Sequence, residues 1–84
     1  MDFRHLETFV KITELKSFSR AAEELFLTQP TVSKQIIDLE SYFSIKLIDR
    51  TKRNVSLTRA GELLRDYAKD LLSLKKDMTE AIDA

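Results

Sequence analysis

Polar groups able to read another surface are concentrated in one stretch of this chain. Residues 28–40 read TQPTVSKQIIDLE, and Gln29, Thr31, Ser33 and Lys34 place an amide, two hydroxyls and an ammonium within it. An amide both donates and accepts, a hydroxyl does either, and an ammonium only donates. Nothing beside them points to bond-breaking chemistry. His5 is the single histidine, there is no cysteine, and neither a glycine-rich loop nor a nucleophile–base spacing occurs. A lone His with no second ligand makes a poor metal site or general base. The expectation is recognition without catalysis, metal or cofactor.

The element that must position these groups is a helix. Thr28 is an N-cap candidate, its hydroxyl accepting from a backbone N–H one turn ahead. Pro30 falls in the first turn, where its missing N–H costs nothing. Val32, Ile36, Leu39 and Phe43 follow at steps of four, three and four, one apolar stripe of a 3.6-residue helix. Pro30, Ser33, Lys34, Ile37 and Asp38 then point the other way, with Gln29 and Thr31 in the open first turn. A merely solvated face carries more Glu and Lys. This one is short, mostly uncharged and rich in hydrogen-bonding groups, as a docking face would be.

The 84 residues predict one small domain. With 43% hydrophobic and 33% charged residues, the composition is that of a globular chain. A single Gly and a single Pro leave room for few tight turns and favour helices. The absence of Cys excludes a disulfide framework and fits a reducing compartment. No apolar run reaches membrane length and no signal peptide is present, so a soluble, non-membrane protein is expected. The formal net charge is zero, but unevenly placed. Residues 28–59 hold six basic side chains against three acidic ones, whereas both flanking segments are net acidic. Screening limits each charge to roughly 8–10 Å, so the basic middle outweighs the neutral sum.

Helix one is expected over residues 4–16, with Phe3, Leu6, Phe9, Val10 and Thr13 inward. Ser17 and Ser19 are both cap candidates for a short second helix with Ala21, Ala22 and Leu25 inward. The helix around TQPTVSKQIIDLE is the third. The period then changes: SIKLIDR and RNVSLT read as strands at roughly 46–49 and 54–57, a β-hairpin whose tip is basic. Thr58 is the cap candidate for a final helix from 59 towards 82. There Leu64, Tyr67, Leu71, Leu74, Met78 and Ala81 make a heptad seam. Such a helix is about 36 Å long, more than three short helices and a hairpin can cover. Its distal stripe needs a second surface, and a second copy of the chain paired by symmetry supplies one. The fold class is therefore mainly α. A winged helix-turn-helix of three helices plus a β-hairpin wing occupies residues 1–58, with the wing at about 46–57. A long dimerisation or linker helix follows over 59–84. In that motif the N-terminal residues of the second helix of the pair enter the major groove.

The residues FRHLETFVKI, SFSRAAEEL, TQPTVSKQIIDLE and KLIDRTKRNVSLTRAG carry a closer likeness. Together they resemble the N-terminal DNA-binding domain of LysR-type transcriptional regulators, over essentially all of residues 1–84. The resemblance implies a cytoplasmic bacterial regulator with its helix-turn-helix at about 18–37. It implies a last helix that dimerises, and a small-molecule effector bound only by a further domain outside this chain. Two departures stand out. Ser44 occupies the end of helix three where the family usually has Gly. Lys34 replaces a common Arg, losing the planar fork that grips guanine with two hydrogen bonds.

Each candidate has a bland reading beside the functional one. Gln29, Thr31, Ser33 and Lys34 are expected to contact bases or the groove, since Gln suits adenine and Lys guanine; Pro30 and Ile37 can touch thymine methyls. The alternative is a capped polar helix face. Gln35 lies to the side, with a phosphate or a structural role. Ser19 and Arg20 suit a phosphate, or else Ser19 caps and Arg20 is solvated. Thr28 caps and can also meet a phosphate. Lys52 and Arg53 are expected to neutralise phosphates, Arg53 entering a minor groove; Arg50 does likewise or pairs with Glu40. The expected partners are double-stranded DNA, as an interrupted palindromic operator, and a second copy of the chain. The competing reading is a winged-helix protein–protein interaction module that does not read bases, for which the zero net charge speaks.

Overall fold

The computed structural model describes residues 1–84 and contains four helices: α1 (Phe3–Leu15), α2 (Phe18–Leu25), α3 (Gln29–Phe43) and α4 (Arg59–Asp83). Each starts on a side-chain cap. Asp2, Ser17, Thr28 and Thr58 accept from the backbone N–H of His5, Arg20, Thr31 and Gly61. The N-terminal caps of α3 and α4 are those expected. For α2 the choice falls on Ser17, and Ser19 lies inside the first turn with its hydroxyl 3.2 Å from that of Ser17.

The first three helices end alike. Lys16, Phe26 and Ser44 each adopt a left-handed backbone, with φ of 54°, 56° and 55°. At the end of α2, Leu27 N–H donates to Ala22 C=O at 2.9 Å; at the end of α3, Ile45 N–H donates to Glu40 C=O at 3.1 Å. These bonds satisfy carbonyls that a helix end leaves unpaired, at the cost of strain in non-glycine residues. Ser44 therefore tolerates the left-handed turn.

Leu6, Phe9, Ile12, Ala21, Val32, Ile36, Leu39, Leu47 and Ala68 form the centre of one core. Ile12, outside the stripe read from the sequence, is fully buried, whereas Phe3 is 42% exposed at the edge with the Lys75 ammonium 4.9 Å from its ring centre. The side chains of Val32, Ile36 and Leu39 are each worth about 1.5–3 kcal/mol on burial. They hold α3 by one face and leave the other outside.

The expected hairpin is reduced to a single antiparallel bridge between Ile48 and Leu57. Asp49 N–H donates to Ser56 C=O at 2.8 Å and Thr58 N–H to Leu47 C=O at 3.0 Å, which fixes the pairing register. The outer side of this segment is held by a side chain rather than by a further strand. The Glu40 carboxylate, 6% exposed, accepts from the N–H groups of Leu47 at 2.9 Å and Ile48 at 3.4 Å. The wing is thus hung from α3 by a buried side chain. Gly61 closes the junction with α4. A Cβ there would lie 2.1 Å from the Leu47 carbonyl oxygen, so only glycine allows α4 to start so close to the wing.

Candidate nucleic-acid interface

The first turn of α3 stands clear of the body. Gln29, Pro30, Thr31, Lys34 and Ile37 are exposed and Ser33 half-buried. Thr28, also exposed, does more than cap: its hydroxyl donates to that of Thr31 at 2.9 Å, so both are held in place before any partner arrives. Lys34 reaches Asp38 one turn on, at 3.0 Å, an exposed pair of small energetic weight that a phosphate or a guanine can displace. Gln35 is different. The Thr8 hydroxyl of α1 donates to its side-chain oxygen. One end of Gln35 is therefore spent on joining α3 to α1, and its amide N–H2 group is the part left for a partner.

Ser19 and Arg20 are exposed at the N-terminus of α2. Arg50 sits 3.5 Å from the Glu40 carboxylate and over the Phe18 ring at 5.6 Å. Its side chain remains 46% exposed. Of the two roles open to it, the pairing with Glu40 is the one realised here, and the guanidinium braces wing, α3 and α2 together. Lys52 and Arg53 are exposed at the wing tip and make no ion pair. Just before them, Asp49 accepts from the Thr51 hydroxyl and N–H. Those two bonds, the hydroxyl first, hold its carboxyl below the usual carboxylate range. An ionised Asp49 shapes the turn that presents the two cations.

On α4 the structure redraws the seam. Leu64 turns inward and packs against the core, while Ala68, outside the seam, is fully buried. The exposed apolar stripe runs Leu63, Tyr67, Leu71, Leu74, Met78 and Ile82. Ala81 is exposed beside Ile82. The heptad reading missed Leu63 and Ile82 because steps of three and four fit two adjacent tracks on one helix, and only packing selects between them. The proximal half of the stripe opens on an apolar groove that Met1, Phe43 and Leu64 also line.

A helix-turn-helix that projects a polar first turn, followed by a wing with two cations free of ion pairs, defines a winged helix-turn-helix DNA-binding domain. Residues 3–62 match the family described as bacterial regulatory helix-turn-helix proteins of the lysR family. An uncharacterised HTH-type transcriptional regulator from the ibpB-leuC intergenic region of Azotobacter vinelandii is 43% identical over 99% of this chain. The HTH-type transcriptional regulator CfxR of Cupriavidus necator is 42% identical over all of it. The chain spans 58% and 26% of the length of those two relatives. Among solved structures, the BenM DNA-binding domain in complex with catB site 1 DNA superposes with a TM-score of 0.95 at 38% identity, over 99% of this chain and 92% of that one. Vibrio fischeri DarR in complex with DNA gives 0.94 at 32% identity, over 99% of this chain and 28% of that one. The chain belongs to the LysR family and is a DNA-binding domain of that type. No helix is long and apolar enough to cross a membrane.

Proposed function

We propose that this chain is the operator-reading part of a cytoplasmic bacterial transcriptional regulator and has no catalytic role. Residues 1–58 lie on the duplex and residues 59–84 join two copies. Gln29, Thr31, Ser33 and Lys34 face base edges, with Pro30 and Ile37 against thymine methyls. Ser19, Arg20, Thr28 and the free end of Gln35 meet phosphates, as do Lys52 and Arg53 on the wing. Arg53 enters the minor groove. Arg50 acts by holding the wing to Glu40 and meets a phosphate with its exposed edge. The observation that carries this reading is the exposed, pre-capped first turn of α3, with a cationic wing tip free of ion pairs in the same domain.

The same reading gives the dimer a register. The exposed stripe of α4 steps by four, four, three, four and four, a spacing that reads identically from either end. Two such helices laid antiparallel about a two-fold axis bring Leu71 against Leu74, Tyr67 against Met78 and Leu63 against Ile82. A parallel pairing would leave the proximal stripes, already flanked by the body, to collide. Tyr67, Leu71, Leu74 and Met78 of the heptad seam keep their dimerising role, with Leu63 and Ile82 joining them; Leu64 and Ala81 support the stripe from its flanks. Two linked domains read two half-sites, hence an interrupted palindrome. An effector, where there is one, is bound by a further domain of the whole protein.

Selection of bound duplexes from a random pool supplies the site, and titration against salt tests the reading. Lys52→Ala with Arg53→Ala weakens binding to selected and random duplexes alike and lowers the salt slope by about two units. Gln29→Ala hurts the selected duplex alone. An unchanged slope removes the wing from the interface, and equal losses on random DNA remove base reading by Gln29.

A further inference from the structure

Residues 28–59 hold three acidic side chains, and two of them have structural roles. Glu40 is buried and accepts from the N–H groups of Leu47 and Ile48. Asp49 accepts from the Thr51 hydroxyl and N–H and shapes the wing turn. Asp38 has no such role. Its one partner is the Lys34 ammonium at 3.0 Å, and its side chain is 41% exposed. That pair adds little to the helix. A lysine four residues before an acid is the weaker of the two orders, and exposed pairs of either order contribute little. Position matters more. Val32, Ile36 and Leu39 hold α3 to the core. At about 100° per residue, Asp38 falls with Lys34 and Ile37 on the opposite side, one turn beyond the polar first turn.

A carboxylate on a face laid in the major groove is repelled by phosphates and weakens binding to every sequence. Lys34 masks it only until a guanine takes the ammonium. Asp38 then stands unpaired where water is largely excluded, the most costly state for a charge. The major-groove group that offsets this is the exocyclic amino group of a base. Cytosine presents that donor with no acceptor of its own, whereas adenine sets its N7 acceptor next to its amino group, and guanine and thymine offer only acceptors. Four residues along a helix span about 6 Å, and base pairs stack about 3.4 Å apart. Asp38 therefore reaches a base pair close to the one that Lys34 meets. We propose that Asp38 is a specificity-determining residue that accepts from the amino group of a cytosine, in one of the two base pairs next to the guanine met by Lys34. It selects by penalising the other three bases more than by adding affinity. The proposal rests on the DNA-binding reading above and deepens it by naming a base that α3 selects.

Bound duplexes are selected from a random pool with the unaltered chain, Asp38→Asn, Asp38→Ala and Lys34→Met. Affinity is then titrated on the selected duplexes and on a random one. The unaltered chain is expected to prefer cytosine at the position of Asp38 by about tenfold. Asp38→Asn moves that preference to adenine, which an amide meets with two hydrogen bonds. Asp38→Ala loses it and binds the random duplex at least about twofold more tightly, since a negative charge has left the face. Lys34→Met relaxes the neighbouring guanine and keeps the cytosine. The proposal is overturned if Asp38→Asn and Asp38→Ala select the same site as the unaltered chain. It is also overturned if Asp38→Ala relaxes only the guanine, which would make Asp38 a prop for Lys34, or if it weakens binding to the random duplex. An unaltered chain that binds no duplex ends the DNA-binding reading itself. One that binds and selects a site without that cytosine ends the present proposal alone.

Discussion

The N-terminal turn of α3 and the distal half of α4 are both exposed, but for opposite physical reasons. The α3 turn is finished without a partner. Thr28 caps it, Thr31 is bonded to Thr28, and Thr8 pins Gln35 from α1. Apart from Pro30 and Ile37 its exposed groups are polar, so waiting for a duplex costs little. The α4 stripe is unfinished. Leu74, Met78 and Ile82 are 66%, 58% and 78% exposed. One region is ordered by its own hydrogen bonds; the other leaves a continuous apolar stripe uncovered. On the proposed function, the first serves discrimination and the second assembly.

That contrast can be broken at the joint, where the largest effect is expected. Gly61→Ala drives a methyl into the Leu47 carbonyl, separates wing from α4, and should cost about 3 kcal/mol in chemical denaturation. A smaller loss would mean that the two regions are not rigidly coupled. Next comes Leu74→Asp, which sets a charge beside the proposed two-fold axis. The chain should sediment as a monomer, and affinity for a palindromic duplex should fall about 10²-fold through lost avidity, with single half-site binding kept. Loss of half-site binding as well would place α4 in the reading surface.

Glu40→Ala sharpens the other side of the comparison. It removes the buried acceptor of Leu47 and Ile48 and the partner of Arg50, and should cost about 2 kcal/mol. The salt slope should drop too, because the wing cations lose their mounting, while the sedimentation of the chain should stay as before. Smallest is Ser44→Gly, which relieves a left-handed non-glycine at the end of α3. A gain of about 1 kcal/mol is expected, with duplex affinity unchanged; a change in affinity would show that this end of α3 also touches the partner.

Much of this architecture is written locally, and for that reason legible. Thr28 and Thr58 announce helix starts, since an N-cap needs only its own hydroxyl and the next turn. The Val32–Ile36–Leu39 stripe follows from helical period alone. Even the pairing of Arg50 with Glu40 was one of two readings open from the position of Arg50 after an apolar strand. In the wing, the expected pairing of 46–49 with 54–57 takes the form of one antiparallel bridge, Ile48 with Leu57. Alternation in SIKLIDR and RNVSLT marks two extended segments, but not that Glu40 would take the N–H groups of Leu47 and Ile48. Capping of α2 stayed open between Ser17 and Ser19 because both hydroxyls suit the role.

The helices, the Thr28 and Thr58 caps, the polar outer face of α3 and the basic tip that follows it are legible in residue order alone, because each depends on neighbours within a turn or two. Tertiary structure alone decided which of two adjacent apolar tracks on α4 faces outward, that Gly61 is needed for a close approach rather than a turn, and that Gln35 spends one end on Thr8. Those choices depend on groups brought together from distant parts of the chain: Leu64 and Ala68 go inward because the core has a space for them, which no periodicity records.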